Sequence, residues 1–254
     1  MSYEYDSEFL DFVDASAGRS ARRFIGLVEA KVFAAPGVAS VIDVGCGRGV
    51  WAAEWLRHGA TRVLGVDGDY VSRDTLLIPR ECFLAADLSK PFDAGARFEL
   101  VQCLEVAEHI APEAADILID GLVRHGDLIV FSAAVPGQGG EHHVNERGYA
   151  YWRDMFLSRG YQLYDAIRPL LMNESDVEPW YRYNTFVYAN RTGAQRLAAQ
   201  ARTSLLTATQ SVPDIAPLAW RLRCRAISML PPRVGNFGAR IKHRLVNRMH
   251  SEHR

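Results

Sequence analysis

The nine residues VIDVGCGRG, Val41 to Gly49, decide how the rest of the chain is read. A β-branched run that stops at glycines is a buried strand running into a tight turn. The following GVWAAEWLRHG has helical spacing and a glycine stop at Gly59. Glycines let a backbone approach a ligand closely, and a helix N-terminus offers N–H groups to it. About twenty residues on, LGVDGDY puts Asp67 at the end of a second strand, where an acid can accept from both hydroxyls of a ribose. A nicotinamide dinucleotide fits less well. The spacing Gly45-Cys46-Gly47-Arg48-Gly49 lacks the third glycine of that fingerprint, and Asp43, inside the strand end, suits an ammonium group that such a dinucleotide does not carry.

Working outward, ECFLAAD, FELVQCLEV and DLIVFSAAV read as a third, fourth and fifth strand, with PEAADILIDGLVRHG a helix that has Pro112 in its first turn. GYAYWRDMFLSRG is another helix, and YQLYDAI and YNTFVYANR close the set as antiparallel neighbours. FLDFVDASAGRSARRFIGLVEAKVFA spaces its apolar residues three and four apart, as one or two amphipathic helices. The expected fold is α/β: a doubly wound, Rossmann-like, seven-stranded mixed sheet with an N-terminal helical segment and a basic helical C-terminal appendage. The expected boundaries are 1–37, 38–190 and 191–254.

Bulk properties narrow the function. The net charge of -1 argues against a surface built throughout for nucleic acid. Charge is unevenly placed, however: from Arg191 onward twelve Lys/Arg face two acids, Asp214 and Glu252. That tail reads first as an appendage packed on its own domain, with a membrane-surface element, a phosphate-binding segment and a dimer helix as alternatives. Cys46, Cys82, Cys103 and Cys224 form no CxxC pair, as in a reducing compartment. The acidic start MSYEYDSEFLDF is no signal peptide, and no apolar run approaches membrane-spanning length. A cytoplasmic protein is expected.

VIDVGCGRG, VLGVDGDY, AADLSKPF and VQCLEVAEHI, in this order and spacing over residues 38–135, resemble the class I S-adenosylmethionine-dependent methyltransferases. The resemblance implies S-adenosyl-L-methionine as cofactor. Gly45 and Gly47, with Cys46 and Gly49 in the same loop, would pass under the methionine moiety and Asp43 would face its amino group. Asp67, followed by Gly68, would bind the ribose, and Asp87 with Leu88 would meet the adenine edge. Cys103 and Leu104 would contact the methionine end.

PGQGGEHHVNE, followed by YW on a helix and by PWYRYN, resembles a bacterial, especially actinobacterial, subgroup of sugar and natural-product O-methyltransferases, and more distantly the enzymes of mycobacterial methylmannoside biosynthesis. In that pattern the histidine before Val-Asn is fixed, which makes His143 the expected general base. His142, His109 and Glu105 are the other candidates. Tyr181, Arg182 and Asn184, beside Trp180, read as a wall for a sugar ring, and alternation would pack Tyr183 and Phe186 into a strand. Such enzymes often bind Mg²⁺ through oxygens, which Glu105, Glu108 and Glu141 could supply. The expected activity is methyl transfer to a hydroxyl of a saccharide or related small metabolite. The expected acceptor is a small molecule or oligosaccharide, with no nucleic acid and no membrane, and the chain could act as a homodimer. Two alternatives stay open: methylation of a non-sugar natural product or of RNA, and a non-catalytic binding module with this fold.

Overall fold

The computed structural model describes residues 7–229, with side chains from Ser16 onward. Residues 1–6 and 230–254 lie outside the described residues, and with them the part of the basic tail that begins near Pro231.

Five strands run parallel: β1 (Ser40–Val44), β2 (Arg62–Asp67), β3 (Phe83–Ala85), β4 (Leu100–Leu104) and β5 (Leu128–Ser132). The sheet order is β3-β2-β1-β4-β5-β7-β6-β8. β7 (Phe186–Ala189) lies antiparallel between β5 and β6 (Gln162–Tyr164), as the sequence led one to expect. Among the described residues the sheet has eight strands, one more than the seven expected. The extra strand, β8 (Leu205–Leu206), pairs antiparallel with β6 at the edge, and two residues are too few to show alternation in a sequence.

Both faces of the sheet are covered, which is why β1, β4 and β5 read as nearly unbroken apolar runs. Val41, Leu100, Leu104, Leu128 and Val130 face one core, shared with α1 (Ser7–Lys31) and α2 (Val50–Arg57). Ile42, Val101, Cys103, Ile129 and Phe131 face the other, shared with α3 (Ala115–His125) and α4 (Tyr149–Leu157). α1 is a single helix, and Phe24 meets Trp51 of α2 edge-on at 5.2 Å.

Four further helices are short, α5 (Arg168–Leu171), α6 (Pro179–Asn184), α7 (Arg191–Ala194) and α8 (Ala199–Arg202), and α9 (Leu218–Ser228) is as long as α3. α6 corrects the strand reading of Tyr183. Pro179, in the first turn, starts a helix in an aromatic stretch of low helix propensity. The boundary at residue 190 does not divide the fold either. α7 follows β7 directly, Phe33 and Leu197 form an antiparallel bridge, and β8 completes the sheet. α9 is helical and basic as expected. It seats on the loop after β5, where a Cβ on Gly137 would come within 1.9 Å of the Cys224 carbonyl oxygen.

One buried ion pair locks this end of the molecule. Arg168 is fully buried and donates to Asp165 through Nε (2.8 Å) and Nη2 (2.6 Å), and to the Tyr183 carbonyl through Nη1. Its guanidinium also lies 4.0 Å from the centroid of Phe186. Removing the acid leaves a buried cation without its counter-charge. Asp165→Ala should therefore lower unfolding stability by about 3–5 kcal/mol, read as a shift of the urea midpoint at unchanged slope.

Candidate active site

The carboxyl ends of β1 and β4 separate where the strand order reverses, and the crevice they leave is lined by acids. Asp43 in β1 and Gln102 in β4 point to the same face. Gln102 Nε2 donates to Asp43 Oδ1 at 2.9 Å, and Trp55 Nε1 donates to Gln102 Oε1 at 2.9 Å. Asp43 Oδ2 is buried and has no partner in hydrogen-bond geometry. Burial, relieved in part by Gln102 and added to by Asp67, pushes the Asp43 carboxyl up to about 7.

The turn after β1 is shaped by contact. Gly45 has φ 81°, and a Cβ there would lie 2.2 Å from Val106 Cγ2. A Cβ on Gly47 would meet nothing within 4 Å, so the loop presents open space at that point. Cys46 is buried against Gly65, and Gly49 caps α2 with φ 84°. An orphaned buried carboxylate oxygen beside an open glycine cradle suits the amino end of S-adenosylmethionine.

Asp67 ends β2 as expected, but it is not waiting for a partner. Gly47 N and Gly68 N each donate to it at 2.7 Å, and Tyr70 Oη donates to Oδ1. Burial still holds its carboxyl above the usual range, against the lowering effect of those bonds. A ribose diol at Asp67 would have to displace Tyr70, whose ring packs on Gly68. Asp87 is exposed, and its carboxylate is taken up within its own turn by Ser89 N (3.0 Å), the Ser89 hydroxyl and Lys90 Nζ (2.9 Å). Leu88, Cys103 and Leu104 are buried.

The other side of the crevice is built from the segment after β4 and the loop after β5. Glu105 sits in the left-handed region at φ 56°, and His142 does so at φ 57°. Non-glycine residues rarely adopt this conformation, and it costs roughly 1–3 kcal/mol each. Gln138 Nε2 donates to Glu105 Oε2 at 2.6 Å, and Gln138 Oε1 accepts from Asn184 Nδ2 at 2.7 Å. Asn184 Oδ1 accepts in turn from Tyr149 Oη, and the Gln138 carbonyl accepts from Arg223 of α9. Gln138, a residue the sequence reading passed over, is thus the hub of this side. Its signal was a long polar side chain set among glycines.

A tight turn at Ala107–His109 brings Glu108 and His109 under the loop, and Val144 N and Asn145 N both donate to the Glu108 carbonyl at 2.9 Å. Glu108 is fully buried, and neither carboxylate oxygen has a partner in hydrogen-bond geometry. Burial, together with Glu105 beside it, holds its carboxyl far above the usual range. His109 Nδ1 donates to the His142 carbonyl at 3.3 Å; burial and the neighbouring His143 lower its ring to about 3. His143 Nδ1 donates to Glu146 Oε1 at 2.8 Å. Glu146 also accepts from Gly137 N (2.7 Å) and Gly139 N (2.9 Å); these bonds outweigh burial and hold its carboxyl below the usual range.

The expected residues therefore separate into groups. His109 and His143 meet edge-to-face at 4.9 Å, close to Glu105 and Glu108. Among the described residues, the one set able to hold a metal is Glu108, His109 and His143; Glu141 is not part of it. Tyr181 packs edge-on against Trp51 at 5.0 Å, and Asn184 is held by Gln138 and Tyr149. Arg182 has its Nε buried without a partner.

Residues 17–165 match the family model described as "Methyltransferase domain". That is more than half of the chain, and the chain belongs to this family. A ubiquinone biosynthesis O-methyltransferase of Neisseria meningitidis serogroup C is 32% identical over 103 residues, which are 36% of this chain and 42% of the relative. A ribosomal protein L11 methyltransferase of Shewanella amazonensis is 34% identical over 122 residues, 45% of this chain and 39% of the relative. The chain thus spans about two fifths of the length of these relatives. Among solved structures, the sugar N-methyltransferase KedS8 of Streptoalloteichus sp. superposes with a TM-score of 0.53 at 16% identity, over 75% of this chain and 95% of that one. Streptomyces venezuelae DesVI gives 0.53 at 13% identity, over 74% and 100%. Both share the fold. No described helix is long and apolar enough to cross a membrane.

The raised value of Asp43 sets a pH dependence. Its carboxyl is held near 7, against an ordinary 3.8, so the stability it contributes is present in acid and is lost as pH rises through 7. An ammonium group at Asp43 favours the charged form. Affinity for S-adenosylhomocysteine should accordingly fall as pH drops below 7, approaching about tenfold per pH unit. Calorimetry between pH 5.5 and 8 should show this slope in the wild type, and a weaker, flatter response in Asp43→Asn.

Proposed function

We propose that this methyltransferase uses S-adenosylmethionine to methylate a hydroxyl of a saccharide or related small metabolite, with His143 as the proton acceptor. The observation that carries the reading is the Glu146–His143 pair. A carboxylate on Nδ1–H fixes the tautomer in which Nε2 carries a lone pair, the form a general base needs. The cofactor supplies an electrophilic methyl group on a sulfonium. Asp43 holds its amino end, and the glycine turn leaves it room. With the methyl group passing from the sulfonium to the acceptor oxygen, His143 Nε2 would take the hydroxyl proton. His109 is a weaker choice, because its surroundings depress its basicity to about 3.

Glu105 Oε1, a buried acceptor beside Glu108 and His143, lacks a partner in hydrogen-bond geometry. A ligand hydroxyl can satisfy it. This and the PGQGGEHHVNE and PWYRYN patterns support a saccharide acceptor, of which a methylated mannoside is one instance. The runner-up is a non-sugar hydroxyl such as a phenol, favoured by the relative named for ubiquinone biosynthesis.

Transfer of labelled methyl to a panel of mono- and oligosaccharides and catechols tests both. His143→Ala should lower turnover by about 10²–10⁴, with S-adenosylhomocysteine affinity unchanged, and His142→Ala should do less. Label appearing on amines alone, or full turnover in His143→Ala, would overturn the reading.

A further inference from the structure

We infer that Glu108, His109 and His143 form a binding site for one divalent transition-metal ion of the zinc and cobalt type. One ligand atom from each lies within 4.8 Å of the others. Ligands around such an ion stand roughly 3.4 Å apart, given bonds of about 2.1 Å. Small side-chain rotations therefore close the set.

Three features show that the site is built and not merely crowded. Glu108 is a fully buried carboxyl with both oxygens lacking partners, beside Glu105, whose Oε1 is also enclosed and lacks one. Such a carboxyl must be either protonated or answered by a cation, and both of its oxygens are open to one. Next, both imidazoles present Nδ1 to an acceptor from the loop, Glu146 for His143 and the His142 carbonyl for His109. That is the outer-sphere arrangement in which Nε2 ligates a metal. Finally, the ligands are tied together. Val144 N and Asn145 N clamp the Glu108 carbonyl, and Gly140 presses on the His143 ring so closely that a Cβ there would lie 2.1 Å from Nε2.

The donor set selects the metal. Two imidazoles and one carboxylate suit Zn²⁺, Co²⁺ or Fe²⁺, whereas Mg²⁺ takes oxygens. The oxygen set expected from the sequence, Glu105, Glu108 and Glu141, is not the one assembled. Metal binding as such does not depend on the acceptor. Its role in catalysis rests on the hydroxyl reading above: in the metal-free enzyme His143 Nε2 takes the proton, whereas with the ion bound Nε2 would be a ligand, the cation would acidify the acceptor hydroxyl, and its proton would leave to solvent.

The test uses the full chain without a histidine tag, stripped with chelator and titrated with CoCl₂. One equivalent should bind, with a visible absorption band typical of mixed nitrogen and oxygen ligands. Glu108→Gln and His143→Ala should each weaken binding roughly 100-fold or more, and Glu146→Gln about 10- to 100-fold. S-adenosylhomocysteine affinity and melting temperature serve as fold controls. The near-isosteric Glu108→Gln keeps the test decisive should His143→Ala fail to fold. Absence of one-equivalent binding, or binding unchanged in Glu108→Gln, would overturn the inference. Chelated enzyme that methylates a hydroxyl and binds no cobalt removes this inference and leaves the proposed function standing. One equivalent of cobalt without methyl transfer supports the site and removes the function.

Discussion

Buried negative charge is the constraint around which this molecule is arranged. Asp43 and Asp67, on β1 and β2, and Glu108, just after β4, are buried, Glu105 is half-buried with its Oε1 enclosed, and desolvation raises all four carboxyls. A carboxylate removed from water is stable only when protonated, hydrogen-bonded or answered by a cation. The protein answers these four unequally. Asp67 receives three donors, Asp43 and Glu105 receive bonds on one oxygen, and Glu108 receives none in good geometry. What remains is an excess of acceptor capacity on both sides of the β1–β4 crevice. The cofactor side suits an ammonium group. The acceptor side suits imidazoles and, in our inference, a metal ion.

Holding that second side together requires strain. Glu105 and His142 both adopt left-handed backbone conformations, one at each boundary of the site. Glu146 compensates by accepting from two loop amides and from His143. Gln138 compensates by joining the end of β4 to α6 and, through its carbonyl, to α9. α9 thereby belongs to the support of the acceptor loop. The same glycines that allow the loop to turn also permit α9 to approach it, since Gly137 has no side chain to meet Cys224.

The sequence made the parallel half of the sheet legible because β1, β4 and β5 are buried on both faces and read as apolar runs, with β1 stopped by Gly45 and β2 ending on Asp67. VIDVGCGRG alone located the crevice. β8 was not legible, since two residues carry no period. Nor was α6, where one proline outweighs an aromatic stretch that favours strands. Among site residues, Asp43 stood out as a charge inside an apolar strand, and Gln102 carried the same signal in VQCL without being read. Which acids have partners was invisible, because Tyr70 reaches Asp67, and Ser89 and Lys90 reach Asp87, through turns that a pattern does not specify. The nearness of His109 to His143 depends on Glu108 binding the β5 loop through its backbone, a contact between segments more than thirty residues apart.

The central claim is that the uncompensated oxygen of Asp43 receives the cofactor's amino group. Calorimetry of S-adenosylhomocysteine beside an analogue that lacks only the α-amino group, both at pH 8, addresses it most directly. The account requires the analogue to bind about 10- to 100-fold more weakly to the wild-type protein, the scale of a lost charge-assisted hydrogen bond. In Asp43→Asn the difference between the two ligands should largely disappear. Equal affinity of both ligands for the wild-type protein would contradict the account.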